Sequence, residues 1–321
     1  MPYQSPIFPG VPLIESPLFE AELAHMGLDP AQTELAIALN RDGYAVFDFP
    51  DPEIDARIDR IKRRLAPQLG LAEGGPGDMA KTGSGTGRVQ DAWRDDEDVR
   101  AIAANPAVLD LLGRLYGRTA FPFQTLNFPV GTQQHPHTDA VHFSSIPERF
   151  MCGVWLAMED IDAEAGPLCY VPGSHKWPIV SNTMVGRPGW GQELSSAQEP
   201  YHNAWNAMVS ATGAPTETFL ARKGQGLIWA ANLLHGGSLQ TDPTRTRWSQ
   251  VTHYFFDDCV YYTPAFSDEP LGRLALRDIV SAADGSPKPN LYLGEKIMPK
   301  AKPRKTPLHR LARAAKRRIV G

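Results

Sequence analysis

Apolar positions recur at two different spacings in the two halves of this chain. Before residue 120 they fall three and four apart. Ile54, Ile58, Ile61 and Leu65 lie along one side of PEIDARIDRIKRRLAPQL, which predicts a helix. Asp29-Pro30 offers an N-cap followed by proline at the first helical position, so AQTELAIALNRDG is predicted to be helical as far as Gly43. YAVFDFP (44–50) predicts a strand, the Gly-rich polar stretch 70–90 a loop, and DDEDVRAIAAN with PAVLDLLGRLYG a helical pair over 96–117. From 121 to 257 the apolar runs shorten and fill with Val, Phe, Tyr, Trp and Thr. FQTLNFPV, FMCGVWLAM, PLCYVPG, TETFLARKG, GLIWAA and RWSQVTHYFF read as short strands of an all-β core. No repeat with a period of roughly 20–50 residues recurs, which excludes a solenoid or propeller. The predicted organisation is a single domain over 1–321. A helical region runs to about 120, a β core covers about 121–257, and a C-terminal extension follows.

Composition adds limits. Hydrophobic residues make up 42% and charged residues 21%, ordinary for a globular protein with a true core. No run approaches the roughly 20 apolar residues that span a membrane. MPYQSPIFPGVPLIESP has no basic segment followed by an apolar one, so no secretory signal is expected and the expected compartment is the cytoplasm. Cys152, Cys169 and Cys259 are too few and too scattered for a disulfide framework or a zinc knuckle, so they are expected to be thiols in a reducing environment. The net charge of −4 hides an asymmetry. From Lys296 onward there are ten Lys/Arg and no acid, so the rest of the chain carries −14, which is −4 less the tail's +10.

The candidate chemistry centres on GTQQHPHTDAVHF, where His137 and Asp139 stand two residues apart. On an extended strand residues i and i+2 point to one face, so both can reach one metal ion. A second histidine would complete a two-His, one-carboxylate face, which leaves positions on Fe(II) for a co-substrate and dioxygen. His235 ends the apolar run GLIWAANLLHGG and suits a ligand presented at a barrel mouth. Taken alone it better suits a hydrogen-bonded strand-end histidine; His-Thr-Asp upstream and the arginines downstream reverse that preference. Arg245 and Arg247 follow in TRTRWSQVTHYFF. A guanidinium one strand from the metal can hold the far carboxylate of a dicarboxylate co-substrate bidentately. Arg247 and Ser249 share a strand face and can act together. A surface salt bridge is the alternative, weakened by core-forming Trp248, Val251, Tyr254 and Phe255.

In four pieces the chain resembles the phytanoyl-CoA dioxygenase family of Fe(II)- and 2-oxoglutarate-dependent oxygenases. They are His137-x-Asp139, VWLAMEDIDAEAGPLCYVPGSHK (154–176), GQGLIWAANLLHGGS (224–238) and RTRWSQVTHYFF (245–256). The resemblance implies a mainly β fold with flanking helices around a double-stranded β-helix (jelly-roll, cupin-like) core. It implies His137, Asp139 and His235 as the catalytic iron ligands and Arg247 on 2-oxoglutarate, with dioxygen as oxidant. Many relatives carry His-Gly-Ser after the distal histidine. Here Gly237 replaces that hydroxyl, and Ser238 or Ser249 is expected to serve instead. Arg247 is preferred over Arg245 because the downstream Thr-His-Tyr-Phe aligns in that register. The family's further co-substrate contact falls on FQTLNFPVG, making Gln124 and Asn127 candidates. Trp155 falls where relatives often pack an aromatic beside the co-substrate, or else is a core tryptophan. The implied reaction releases succinate and CO2 and hydroxylates an unactivated C–H bond of a small molecule. Halogenating relatives lack the metal carboxylate, so Asp139 disfavours halide transfer. The family name does not imply a CoA substrate.

His135, His142, His175 and His253 are left off the metal. His135 is a candidate neighbour of the ligands, His142 of the substrate, His175 a satisfier of backbone groups and His253 a core residue. The stretch 177–215, with Trp177, Trp190, Tyr201, His202 and Trp205, is either a substrate lid or an elaboration packed on the barrel. In the tail, Leu308, Leu311, Ala315 and Ile319 fall on one helical face. That pattern allows weak membrane-surface contact, against the simpler expectation of a solvated terminus. The acidic body and the lack of a recognition motif argue against nucleic acid. Two other classes stay open. A cupin-type metal enzyme such as an isomerase would use His135-Pro-His137, though Val141 stands where a glutamate is wanted. A binding protein on a degenerate scaffold would not need the full His/Asp/His/Arg set.

Overall fold

The computed structural model describes residues 2–69, 71, 87–191 and 199–297. The basic tail from 298 and most of the 70–90 loop lie outside that range. The first helix of more than one turn, α1 (Pro30–Asp42), begins on a capping box. Asp29 accepts from the Gln32 backbone, and the Gln32 side chain accepts from the Asp29 backbone. It ends at Gly43, whose φ of 84° is left-handed. A side chain at Gly43 would also run into the His175 ring, 2.4 Å away. β1 (Tyr44–Asp48) and α2 (Ile54–Leu65) follow, then β2 (Val89–Gln90). α3 (Glu97–Ala103) is capped by Asp96, and α4 (Pro106–Tyr116) by Asn105 with Pro106 at its first position.

The β core comprises β3 (Ala120–Phe128), β4 (Ser144–Ile146), β5 (Met151–Ala157), β6 (Leu168–Tyr170), β7 (Glu217–Phe219), β8 (Gln225–Ala230), β9 (His235–Gly237), β10 (Ser249–Phe256) and β11 (Val260–Tyr262). One antiparallel sheet has the order β1-β8-β5-β10-β3-β2; a second, β7-β6-β9, faces it, and β4 pairs with β11. This is an open jelly-roll with helices on its outer side. β5 and β10 are buried along their whole length, because both faces of the large sheet are covered.

Alternation along the strands then decides what reaches the interior. On β10, Tyr254 donates its hydroxyl to the Ala103 carbonyl and Gln250 its amide to the Val99 carbonyl, so these two face the helices. Val251 and His253 take the other face. Likewise Val154 and Ile228 join the core cluster that the helices cover, while Trp155, Leu227, Trp229 and Val251 pack with Leu168, Tyr170 and Phe219 of the small sheet. Each fully buried side chain of this size stabilises the fold by about 2–3 kcal/mol.

Two local expectations need correction. His137-Thr138-Asp139 is not a strand. His137 makes a single bridge to His235, and Asp139 opens a 3-10 turn (Asp139–Val141). The extended Thr138 (φ −113°, ψ 140°) still turns both groups the same way. His235 does not close the strand of GLIWAA, because a turn bonded from the Leu233 N–H to the Ala230 carbonyl intervenes and His235 opens β9. In the 177–215 stretch, α5 (Glu199–Thr212) buries Tyr201 and Trp205 against Val141, Leu234 and Ala265. Cys152 and Cys259 are buried, Cys169 is half-buried, and all three are thiols. No helix among the described residues is long and apolar enough to cross a membrane.

Candidate active site

The two candidate histidine ligands are joined through their main chains. The His137 N–H donates to the His235 carbonyl at 2.8 Å, and the His235 N–H returns the bond at 2.9 Å. Their ring centroids lie 4.5 Å apart. Each Nδ1 is 2.9 Å from a backbone carbonyl, that of His135 and of Leu233 respectively. This assigns the proton to Nδ1 and leaves Nε2 as the ligand atom. Ligand atoms of His137, Asp139 and His235 all lie within 4.8 Å of one another, an arrangement that can hold one metal ion.

Asp139 is held from behind. Its Oδ2 accepts from the Trp229 indole N–H at 2.8 Å and lies 3.5 Å from His253 Nε2. Burial, the largest influence, works against its charge, but the His253 and His235 imidazoles outweigh it and hold the carboxyl well below the usual range. Burial, helped by the neighbouring His235, pushes His137 down to about 3, so the ring is neutral, as a ligand must be. The space for Trp229 comes from Gly153, its cross-strand partner. A Cβ there would lie 2.1 Å from the indole.

Beside these groups lies a cavity of about 310 Å³. Arg247 lines it, only 2% exposed. Its backbone N–H is fixed by the Pro129 carbonyl and its Nη1 donates to the Gly166 carbonyl at 3.1 Å. Its Nε is buried without a partner, and no acid among the described residues pairs with it. Burial lowers its pKa to about 10, which leaves it cationic at neutral pH. Arg245 is instead half exposed and paired with Asp162 and Asp242. Trp155 lines the cavity with its ring 5.8 Å from the Arg247 guanidinium carbon and its Nε1 unpartnered.

Of the remaining candidates, Gln124 lines the cavity and its Oε1 lies 3.0 Å from His253 Nδ1. Ser249 is fully buried with an unpartnered Oγ, behind the lining rather than in it. Asn127 is turned the other way. Its amide donates to Gln250 under the helices, and it does not reach the cavity. His135 is exposed, so the His-x-His pair expected of a cupin does not form. His175 lies 3.2 Å from the Asn40 carbonyl, away from the site. No described residue of the 177–215 stretch lines the cavity. A larger hollow of about 780 Å³ beneath residues 10–20 carries none of the three candidate ligands.

A family model described as Phytanoyl-CoA dioxygenase (PhyH) matches residues 39–246. The chain belongs to this family. A probable phytanoyl-CoA dioxygenase of Caenorhabditis elegans is 28% identical to this PhyH-family chain over 186 residues, 54% of this chain and 56% of its own length. The peroxisomal phytanoyl-CoA dioxygenase of Rattus norvegicus is 26% identical over 182 residues, 54% and 50% respectively. The chain thus spans about half the length of these relatives. Among solved structures, the α-ketoglutarate-dependent carbocyclase SnoK from nogalamycin biosynthesis has a TM-score of 0.54 at 19% identity, over 79% of this chain and 94% of that one. The epimerase SnoN in complex with Fe3+, α-ketoglutarate and nogalamycin RO gives 0.52 at 24%, over 73% and 87%. EctD from S. alaskensis with 2-oxoglutarate and 5-hydroxyectoine gives 0.52 at 18%, over 75% and 80%. At these identities the likeness is one of fold.

Sequence reasoning missed several residues of this PhyH-family site. His253 is buried, as expected of a core residue, and counting by twos from Ser249 also puts it on the inner face with Val251. Trp229 shows its role only through the register with Gly153. Thr132 also went unseen. It lines the cavity, and its Oγ1 would lie 3.1 Å from a Cβ on Gly237, close to where relatives carry a serine.

Proposed function

We propose that this chain is an Fe(II)- and 2-oxoglutarate-dependent oxygenase that hydroxylates a small molecule. The observation that carries the reading is Arg247. A buried guanidinium without an acid is costly, and here it shares a cavity with a two-His, one-carboxylate group. A dianion with one carboxylate on Arg247 and the other end at the metal removes that cost.

The donor set fits a ferrous ion. Both histidines present Nε2 because their Nδ1 protons are committed to backbone carbonyls, and Asp139 is ionised and oriented by Trp229. When bound, iron and co-substrate supply the oxidising power, with dioxygen, to break a C–H bond and release succinate and CO2. The chain's own residues do the positioning. His137, Asp139 and His235 hold the ion; Arg247 grips the far carboxylate, with the Ser249 hydroxyl behind it and Trp155 as a wall. Leu126, Phe128 and Val251 keep that end dry, which strengthens the Arg247 contact. Asp139 fills the position that a halide would need, which favours oxygen transfer.

The test is anaerobic titration of the Fe(II)-loaded protein with 2-oxoglutarate. A weak visible charge-transfer band should grow in and saturate. Arg247→Gln should raise the half-saturation point at least about tenfold, the loss expected for one partner of a buried charged contact. Asp139→Ala should abolish succinate production. Absence of the band in the unaltered protein would sink the assignment. Product mass then separates hydroxylation, a gain of one oxygen, from ring closure, a loss of two hydrogens, and from epimerisation, no change.

A further inference from the structure

A second arginine lines the same cavity and has no task in the reading above. Arg277 lies on a segment bonded along β11, where its backbone N–H donates to the Tyr261 carbonyl and Leu276 bridges Tyr262. Its Nη1 donates to the Thr263 hydroxyl at 2.9 Å. Its guanidinium carbon sits 4.8 Å over the Phe143 ring. The Nε is buried without a partner, and no carboxylate among the described residues pairs with the side chain. Burial lowers its pKa.

Its place relative to the metal group follows from two rings. Phe143 is 5.2 Å from the His253 ring, and His253 touches Asp139. Arg277 is therefore linked to the candidate metal group through two rings, Phe143 and His253, and lines the cavity together with His142. It belongs to a different element from Arg247, which is anchored to Pro129 and Gly166.

The charge of the cavity points the same way. Three arginines line it, Arg88, Arg247 and Arg277, against a single carboxylate, Asp139. A ferrous ion and a 2-oxoglutarate dianion cancel one another. The described lining therefore keeps a surplus of two positive charges with iron and co-substrate in place. A neutral or cationic substrate would leave Arg277 desolvated and unpaired.

We propose that Arg277 is the substrate-recognition group of this cavity, and that the substrate is a small molecule bearing an oxyanion, a carboxylate or a phosphate, placed against Phe143. The inference rests on the oxygenase reading for the identity of the site. It adds the substrate class. The guanidinium edge carrying Nε matches an oxyanion in a way that a lysine ammonium does not.

Calorimetric titration of protein loaded with Mn(II) and saturating 2-oxoglutarate tests it. Benzoate and phenyl phosphate are the anionic probes, and benzamide is the neutral control of like shape. At least one anion should bind about tenfold more tightly than benzamide, and the preferred one names the oxyanion. Arg277→Gln should erase that preference, and Arg277→Lys should retain part of it while confirming that the altered site folds. The 2-oxoglutarate charge-transfer titration on the Fe(II) form should be the same in Arg277→Gln as in the unaltered protein, in contrast with Arg247→Gln. Equal affinity for benzamide and both anions overturns the proposal. So does a preference that survives Arg277→Gln, or a loss of 2-oxoglutarate affinity matching that of Arg247→Gln. If the unaltered protein shows no charge-transfer band, the oxygenase reading fails. The anion titration, repeated with Mn(II) alone, still decides the role of Arg277.

Discussion

Asp139 owes its orientation to one indole N–H and one imidazole, and the indole owes its place to a missing Cβ. Trp229→Phe keeps the ring but removes the donor. Metal affinity, measured by competition with a chelator, should fall about tenfold, in line with other groups that orient a metal ligand. Gly153→Ala should act on the same contact, pushing the indole off Asp139 and costing about 1–3 kcal/mol through overpacking. In combination the two should cost less than their sum, since they disturb one contact. At this scale the candidate ligands are legible because they sit in short local patterns: two residues apart, or in a run shared with the family. The family resemblance makes both Gln124 and Asn127 expected contacts, yet positions three apart on a strand cannot share a face. Parity alone chooses between them, and only the structure shows which parity looks inward. Gly153 and Trp229 meet through cross-strand register, which no local pattern encodes.

The helices followed their sequence signals closely because caps and glycines are local devices. What the sequence did not disclose is how they are fastened. Arg57, Arg60 and Arg64 of α2 all bond Asp98 of α3, and Arg64 also grips Asp96. Asp98→Asn should lower stability by about 2 kcal/mol in urea unfolding, a modest figure because the arginines reach solvent. The Arg60 and Arg64 hydrogen bonds, outweighing burial, hold the Asp98 carboxyl far below its ordinary value. Its folded pKa is thus depressed. The contribution is complete above the unfolded value near about 4 and is lost as pH falls below it. The gap between variant and parent should close in acid. The strand expected at His-Thr-Asp shrank to a bridge and a turn. The alternation was correct, but the ladder needed a partner that β9, three residues long, does not supply.

Over the whole molecule the jelly-roll class was legible from the change in apolar spacing near residue 120, while the facing of its two sheets was not. The candidate site joins those sheets. His235 comes from the small sheet, Trp229 and His253 from the large one, and His137 and Asp139 from the segment between β3 and β4. A metal held there ties all three together. Mn(II) at about 100 times its dissociation constant should add roughly 2.7 kcal/mol and raise the thermal midpoint by about 4 °C, reversed by a chelator. An unchanged midpoint would mean that the site does not close on an ion. The span from Pro129 to His137 has its own place in this arrangement. Its first residue fixes the Arg247 backbone, and its last is hydrogen-bonded to His235. On the proposed reading it sets the spacing between the Arg247 guanidinium and the candidate metal group. If Arg247 and the metal bind the two ends of one dicarboxylate, the length that fits follows the number of residues in this loop. Adding or deleting one would retune the protein for a diacid of different chain length, with every ligand left in the sequence.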